Sequence, residues 1–385
     1  MYGVVLGDII GSRFEFLATG EKDVLFFHPA CTFTDDTVCA SAVAASTLVI
    51  LDNLKVHQQM QQNYPEQYAK EQPKSANEWD FLNKIYAKSL RQLVHEYPMA
   101  GYGKQFIHWA HHVDALPYES LGNGCLMRVA PIAFLSSSLE QAQWFAKACT
   151  SVTHNHPEAL KTVEHYLDIF WFIREYQAIK NHPEDDNWLA TFKADLKQKL
   201  ASLNLDVLSV EQYRQVGGFH VLAPDTLLRS LACVLEATHY EEAIGNALYI
   251  ASDTDTTAAI AGALAEMIFG ISVDSLDKSI DYFNHKSIQL MKNIAQTYRY
   301  VYQHHHAQIK EGTGTWGALA WDNLFSEKKQ QWTEKIIALE MVDMTAQWDP
   351  LVVDEDNYYS EADIALKKAN QNAFIQMLRK MGVIR

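Results

Sequence analysis

The sequence predicts an all-α protein. Apolar residues recur at helical spacing along most of its 385 residues, and runs alternating apolar with polar residues are short and few. Clusters of Thr and Asp also stand directly ahead of two Ala-rich segments, where a helix begins. In chain order, the first stretch, MYGVVLGDIIGSRFEF, carries the pairs Gly7–Asp8 and Gly11–Ser12, which predict a tight turn with Glu15 about two turns into the next element. The clearest helical periods then cover 38–51, 78–94, 139–150, 157–175, 187–203, 227–237, 240–251 and 256–270, with further stretches near 283–304, 330–345 and 361–381. Pro157 suits a first helical position. Residues 52–98, with the Gln-rich HQQMQQNYPEQYAKEQPKSANEW, read as an exposed insertion. Beyond Gly270 the Gly/Ala texture gives way to aromatic and charged residues, with a break at EGTGTWG (311–317). The expected division is a core domain over 1–270 and a helical extension over 271–385 packed on it.

Composition narrows the function classes. A hydrophobic content of 48% with 21% charged residues is that of a globular protein with a large core. A net charge of −15 disfavours nucleic acid and anionic membrane surfaces and favours divalent cations. The five cysteines are scattered, odd in number and without a CxxC pair, so reduced thiols and a cytoplasmic location are expected. The start of the chain has no basic leader, and the apolar run 258–271 is broken by Gly262, carries Glu266 and is short for a bilayer. No membrane partner is expected.

Two oxygen-rich clusters stand out. Thr34, Asp35 and Asp36 precede one helical run; Asp253, Asp255 and Thr256 precede another. Capping explains either cluster alone, because carboxylates are favoured at a helix N-terminus. Together they hold more hard oxygen donors than caps use. Four carboxylates brought together repel unless cations neutralise them, and oxygen donors without His or Cys suit Mg²⁺ or Mn²⁺. Three weaker elements accompany them. Glu15 ends GDIIGSRFE. The Gly122–Asn123–Gly124 turn precedes an apolar helix, the arrangement in which backbone N–H groups hold a phosphate. His154 and His156 flank Asn155 in THNHPEA; zinc is disfavoured there because no third ligand lies close in sequence, which leaves His154 a substrate contact or a structural residue. The triplet His304–His306 reads as a solvated helix end.

These pieces in this order resemble the ADP-ribosylglycohydrolase superfamily. The carriers are GVVLGDIIGSRFEF, FTDDTVCASAVAA, YPMAGYGKQFIHWA, SLGNGCLMRVAPIAF, SVTHNHPEALK and DTDTTAAIAGALAEMIFG, spread over 1–270. The resemblance implies an orthogonal helical bundle with extra helical segments and two Mg²⁺ or Mn²⁺ ions in a cleft. It implies metal ligation by Thr34, Asp35, Asp36, Asp253, Asp255 and Thr256. Catalytic roles fall to Glu15, Asp36 and Asp253, and ADP-ribose contacts to Asp8, Gly122, Asn123, Gly124, Met127, Arg128 and His154. The implied reaction is hydrolysis of ADP-ribose from a modified protein side chain, foremost the N-glycosidic bond of ADP-ribosyl-arginine. O-linked serine conjugates and other ADP-ribosyl compounds stay open. An immunity role is also open, in which the chain binds an ADP-ribosyltransferase toxin or reverses its action. Three positions depart from the pattern: Ala251–Ser252 stand where many relatives have Gly-Gly, Leu126 where a small residue is frequent, and Ser120, beside Glu119, where some members carry an acid.

Overall fold

The computed structural model describes residues 1–15, 22, 24–63, 78–177, 187–284, 286–310 and 314–339. Among them are sixteen α-helices and no strand; an isolated bridge joins Gly122 to Leu222. The order is α1 (Tyr2–Ser12), α2 (Asp35–Asn63), α3 (Glu78–Glu96), α4 (Lys104–His111), a 3-10 turn (Asn123–Cys125), α5 (Ala130–Leu135), α6 (Leu139–Ser151), α7 (Pro157–Glu175) and α8 (Trp188–Ser202). There follow α9 (Val210–Val216), α10 (Ala223–Glu236), α11 (Tyr240–Ile250), α12 (Thr254–Phe269), α13 (Val273–Ile280), α14 (Ile288–Lys310), α15 (Ala318–Leu324) and α16 (Glu327–Ala338).

The first stretch corrects the expectation of a turn: it is helical through both Gly–Asp and Gly–Ser pairs, and Glu15 lies just past the helix end. Gly3, Gly7 and Gly11 are four apart and share one face, which packs on α12. A Cβ on Gly3 would fall 2.1 Å from the Gly262 carbonyl oxygen, one on Gly7 2.1 Å from that of Ala258, and one on Gly11 2.5 Å from the Asp255 Cα. The glycines are therefore present for close approach of two backbones. All sixteen residues of α12 are buried, as are residues 2–11 of α1, so this pair forms the centre of the fold.

Other helices wrap the pair. Helices α10, α11 and α15 pack on α12, while α2 packs on α1, α3, α5 and α14. The segment 35–56 of α2 is long and apolar enough to span a bilayer, yet most of it is buried within the protein, the behaviour of a core helix. Within the expected insertion, α3 buries Leu82, Tyr86, Leu90 and Val94 against the core, so its second half is structural; residues 64–77 lie outside the described residues.

The segment after Gly270 packs on the same core over its described part. Glu266, buried in α12, accepts hydrogen bonds from the Gly3 N–H at 2.9 Å and from the Tyr298 hydroxyl at 2.6 Å. Burial alone would raise its pKa, but the N-terminal amine, Lys329 and Tyr298 outweigh that and hold it below the usual range. Four elements thus converge on one carboxylate. Of the Gly-rich break, residues 314–317 are described, and they are anchored to the end of α7. The Gly317 N–H donates to the Arg174 carbonyl at 2.7 Å, and the Arg174 guanidinium lies between Trp171 and Trp316 at 4.1 and 4.2 Å from their ring centroids. The histidine triplet departs from a solvated helix end, for His305 is buried and only its neighbours are exposed or half-buried. The stretch 361–381 lies outside the described residues.

The glycine face generates the first prediction. Gly7→Ala should lower stability by at least about 2 kcal/mol, because the clash is with backbone rather than with a movable side chain. Gly103→Ala, which meets no atom within 4 Å, should cost less than about 1 kcal/mol. Urea denaturation of both variants compares them; equal losses would reject backbone contact as the reason for the glycines.

Candidate active site

The contact between α1 and α12 delivers acids from three distant parts of the chain to one place. Carboxylate oxygens of Asp8, Asp36 and Asp255 lie within 4.8 Å of one another, and so do those of Glu15, Asp253 and Asp255. Asp255 belongs to both sets, so the two groups adjoin. Asp8 comes from α1, Asp36 from the first turn of α2, and Asp253 and Asp255 from the start of α12.

Asp8 is a residue whose full part the sequence does not disclose. It accepts from the Thr34 N–H and hydroxyl at 2.9 and 2.6 Å, and from the Thr37 N–H and hydroxyl at 3.0 and 2.5 Å. It therefore caps α2 from another helix, a task expected of a residue local to α2. That leaves Asp35 and Asp36 without capping duty. The Asp36 Oδ2 accepts from the Thr256 hydroxyl at 3.1 Å and, more weakly, from the Thr34 hydroxyl at 3.4 Å, while its Oδ1 is buried with no partner. Asp35 is half-buried, and Gly101, at φ +100°, passes close to it: a Cβ there would lie 3.7 Å from the Asp35 Oδ1.

The second cluster behaves likewise. Asp253 occupies the N-cap position of α12, yet its side chain caps nothing; its Oδ2 accepts from the Asn123 amide at 2.7 Å. Asp255 Oδ1 accepts from the Thr256 N–H at 2.9 Å. Ala251, in place of a glycine, still takes the left-handed conformation at φ 55°, ψ 57° and so turns the chain from α11 into this cluster. Ser252 holds the turn from outside by accepting from the His220 N–H at 2.9 Å.

Burial first, and then the neighbouring acids, pushes these carboxyls up. Asp8 is raised to about 7 by burial and Asp255, against its four donors. Glu15, Asp35 and Asp36 rise well above the carboxylate range through burial and the surrounding aspartates; Asp255 does so through burial and Asp253. Asp253 is raised by burial, with the Asn123 bond opposing. Carboxylates crowded in this way, with one buried oxygen unpartnered, fit a divalent cation bound through oxygen.

The remaining predicted contacts divide into two groups. Gly122 and Gly124 face His154, which is buried; a Cβ would sit 3.7 Å from its ring on Gly122 and 3.4 Å on Gly124, the latter also 4.0 Å from the Met127 Cε. The His154 Nδ1 meets the Thr153 hydroxyl at 2.8 Å, and burial with nearby Arg128 keeps the ring neutral. His156 points elsewhere and caps α7 by accepting from the Glu158 N–H at 3.1 Å, so the His-x-His pair does not converge. Arg128 is fully buried behind the loop, donating to the Cys149 carbonyl at 3.1 Å and the Thr153 hydroxyl at 2.7 Å. It thereby positions the partner of His154. The N–H groups of Gly122 and Asn123 are taken by the Ser120 hydroxyl and the Val221 carbonyl, so these two donors are spent in holding the loop.

The chain is similar to known proteins along most of its length. Residues 1–278 match the family model described as ADP-ribosylglycohydrolase. The chain is 25% identical over 282 residues to the ADP-ribosylarginine hydrolase Tri1 of Pseudomonas putida (strain GB-1), covering 71% of this chain and 70% of that protein. A solved structure titled "ADP-ribosylglycohydrolase-related protein complex" aligns at TM-score 0.42 and 18% identity over 78% of this chain and 95% of its own.

The crowding of acids predicts a trade between stability and function. Mg²⁺ in large excess should raise the thermal midpoint by about 4 °C or more. Asp255→Asn, which removes the charge shared by both sets, should raise the metal-free midpoint and abolish that rise. A destabilised Asp255→Asn in a protein indifferent to Mg²⁺ would assign the cluster a purely structural role.

Proposed function

Because the chain belongs to the ADP-ribosylglycohydrolase family, we propose that it hydrolyses the N-glycosidic bond joining ADP-ribose to a protein arginine, with two Mg²⁺ or Mn²⁺ ions bound by its acid cluster. The observation that carries this reading is the pair of adjoining carboxylate sets sharing Asp255. The Pseudomonas relative, an ADP-ribosylarginine hydrolase, supports arginine as the linkage.

The ions would be held by Thr34, Asp35, Asp36, Asp253, Asp255 and Thr256, with Asp8 fixing the Thr34 side from beneath. Bound there, they supply Lewis acidity and neutralise the crowded charge. The chain's own residues account for the rest. Glu15 stands at the edge of the Asp253–Asp255 set as the general base that takes a proton from the attacking water. The negative surroundings favour an oxocarbenium-like transition state at the ribose C1″. Asn123 holds Asp253 in one orientation through its amide, and neutral His154 beside Gly122 and Gly124 offers its second ring nitrogen to the bound ADP-ribose.

Release of ADP-ribose from an arginine-modified protein, with Mg²⁺ and then with excess EDTA, tests the reading; serine-modified protein runs in parallel. Mg²⁺-dependent release from arginine is expected, lost in Asp253→Ala and reduced on the order of 10²–10⁴-fold in Glu15→Gln. Release from serine alone would overturn the linkage, and equal rates in EDTA would overturn the metal.

A further inference from the structure

Four of the chain's sixteen histidines fall within residues 95–112, and all four are exposed. Exposed imidazoles are free to stand apart in water. These instead meet in two pairs where the ends of α3 and α4 come together. His95, in the last turn of α3, contacts His111, in the last turn of α4, with ring centroids 4.5 Å apart and planes at 90°. His108, nearly one turn before His111, lies beside His112 at 4.1 Å and 31°. None of the four belongs to the acid cluster.

Spacing, tautomer and electrostatics each suit this face to a cation bound through nitrogen. A zinc–nitrogen bond of about 2.1 Å puts an imidazole centre about 3.2 Å from the metal, so two such rings on a tetrahedral ion have centres about 5 Å apart. Both pairs lie within about 1 Å of that separation, which a small rotation of exposed rings covers. The His112 Nδ1 is 2.7 Å from the His108 carbonyl oxygen. A carbonyl only accepts, so this nitrogen carries the proton and the neutral ring keeps its lone pair on Nε2, as ligating histidines are commonly held. The carbonyl ends of two helices meet here, and their partial negative charge favours a cation. Glu96 and Asp114 add carboxylates close in sequence to His95 and His112. The Arg91 guanidinium is directed elsewhere: it covers the Trp109 ring at 4.3 Å and donates to the carbonyls of Trp109, His112 and Ala115, which fixes the end of α4.

We propose that this face is a second metal site, at which a divalent ion of the imidazole-preferring class, Zn²⁺, Ni²⁺ or Cu²⁺, bridges His95 and His111 with His108 and His112 as adjoining donors. Hard carboxylates suit Mg²⁺ and imidazole suits the zinc class, so the two sites differ in the ion they select. The bridge joins the two ends of the connection 97–103. Within that connection Gly101 passes close to Asp35, so the ion braces the loop beside the acid cluster.

The test titrates zinc chloride into the full chain in excess Mg²⁺, with calorimetry for affinity and circular dichroism for the thermal midpoint. Zinc should bind at micromolar concentration and raise the midpoint by about 2 °C or more. His95→Gln/His111→Gln should weaken binding at least about tenfold and remove the rise; adding His108→Gln and His112→Gln should abolish binding. Asp255→Asn should keep zinc binding, as should His304→Gln/His306→Gln, which removes the outer imidazoles of the α14 triplet. Zinc binding that survives the four-histidine variant, or that Asp255→Asn removes, would assign the zinc to the acid cluster. Loss in the α14 variant would move the site to that helix, and no binding at millimolar zinc would leave the pairs as ring contacts alone. Each of these outcomes overturns the proposal.

Discussion

Backbone contact between α1 and α12 is the constraint on which the site depends. Two helices carrying ordinary side chains pack with axes 8–10 Å apart. Glycine at positions 3, 7 and 11 removes the intervening Cβ atoms, so that the carbonyls of Ala258 and Gly262 lie where those atoms would be. This approach places Asp8, next to Gly7, against the α2 N-terminus, and brings Glu15 from the end of α1 to Asp253 and Asp255. A wider spacing would separate the acids into three ordinary helix ends.

The acid cluster in turn is a local conflict. Carboxylates from α1, α2 and α12 are driven together by packing that buries apolar residues throughout the core, against their own repulsion and desolvation. The surrounding donors answer part of it: Thr34, Thr37, Asn123 and Thr256 bond to these oxygens, leaving the Asp36 Oδ1 unanswered. Those donors fix orientation without supplying positive charge. A cluster of that kind is consistent with a metal site and costs stability while its charge is unanswered, as functional centres held by a rigid scaffold frequently do.

Much of the helical order can be read from the sequence, since apolar period and caps are local signals. The span 157–175 is legible to the residue, and so are the helix starts at 139 and 240. Both acid clusters are visible because hard oxygen donors exceed what a cap needs. The α1 helix reads as a turn because glycine before a polar residue signals a turn locally, and only tertiary packing explains it as a contact surface. The capping of α2 by Asp8 is illegible for the same reason: the partners are 26 and 29 residues apart. Short helices such as Lys104–His111 and Val210–Val216 lack the length for a clear period.

Substitution tolerance should differ sharply between the acid cluster and the exposed segments joined to it. The cluster residues are bound on several sides: Asp8 answers to two threonines, Asp253 to Asn123, and Asn123 to Val221 through its backbone. Changing one disturbs the rest, because each bond fixes the orientation of the next group. The segments 97–119 and 216–222 carry exposed side chains on backbones held by Arg91, Thr153 and Ser252, none of which depends on the identity of residues 113, 116 or 216. Those positions can therefore change without moving the acids, because the bonds that hold the cluster run through backbone and buried polar groups.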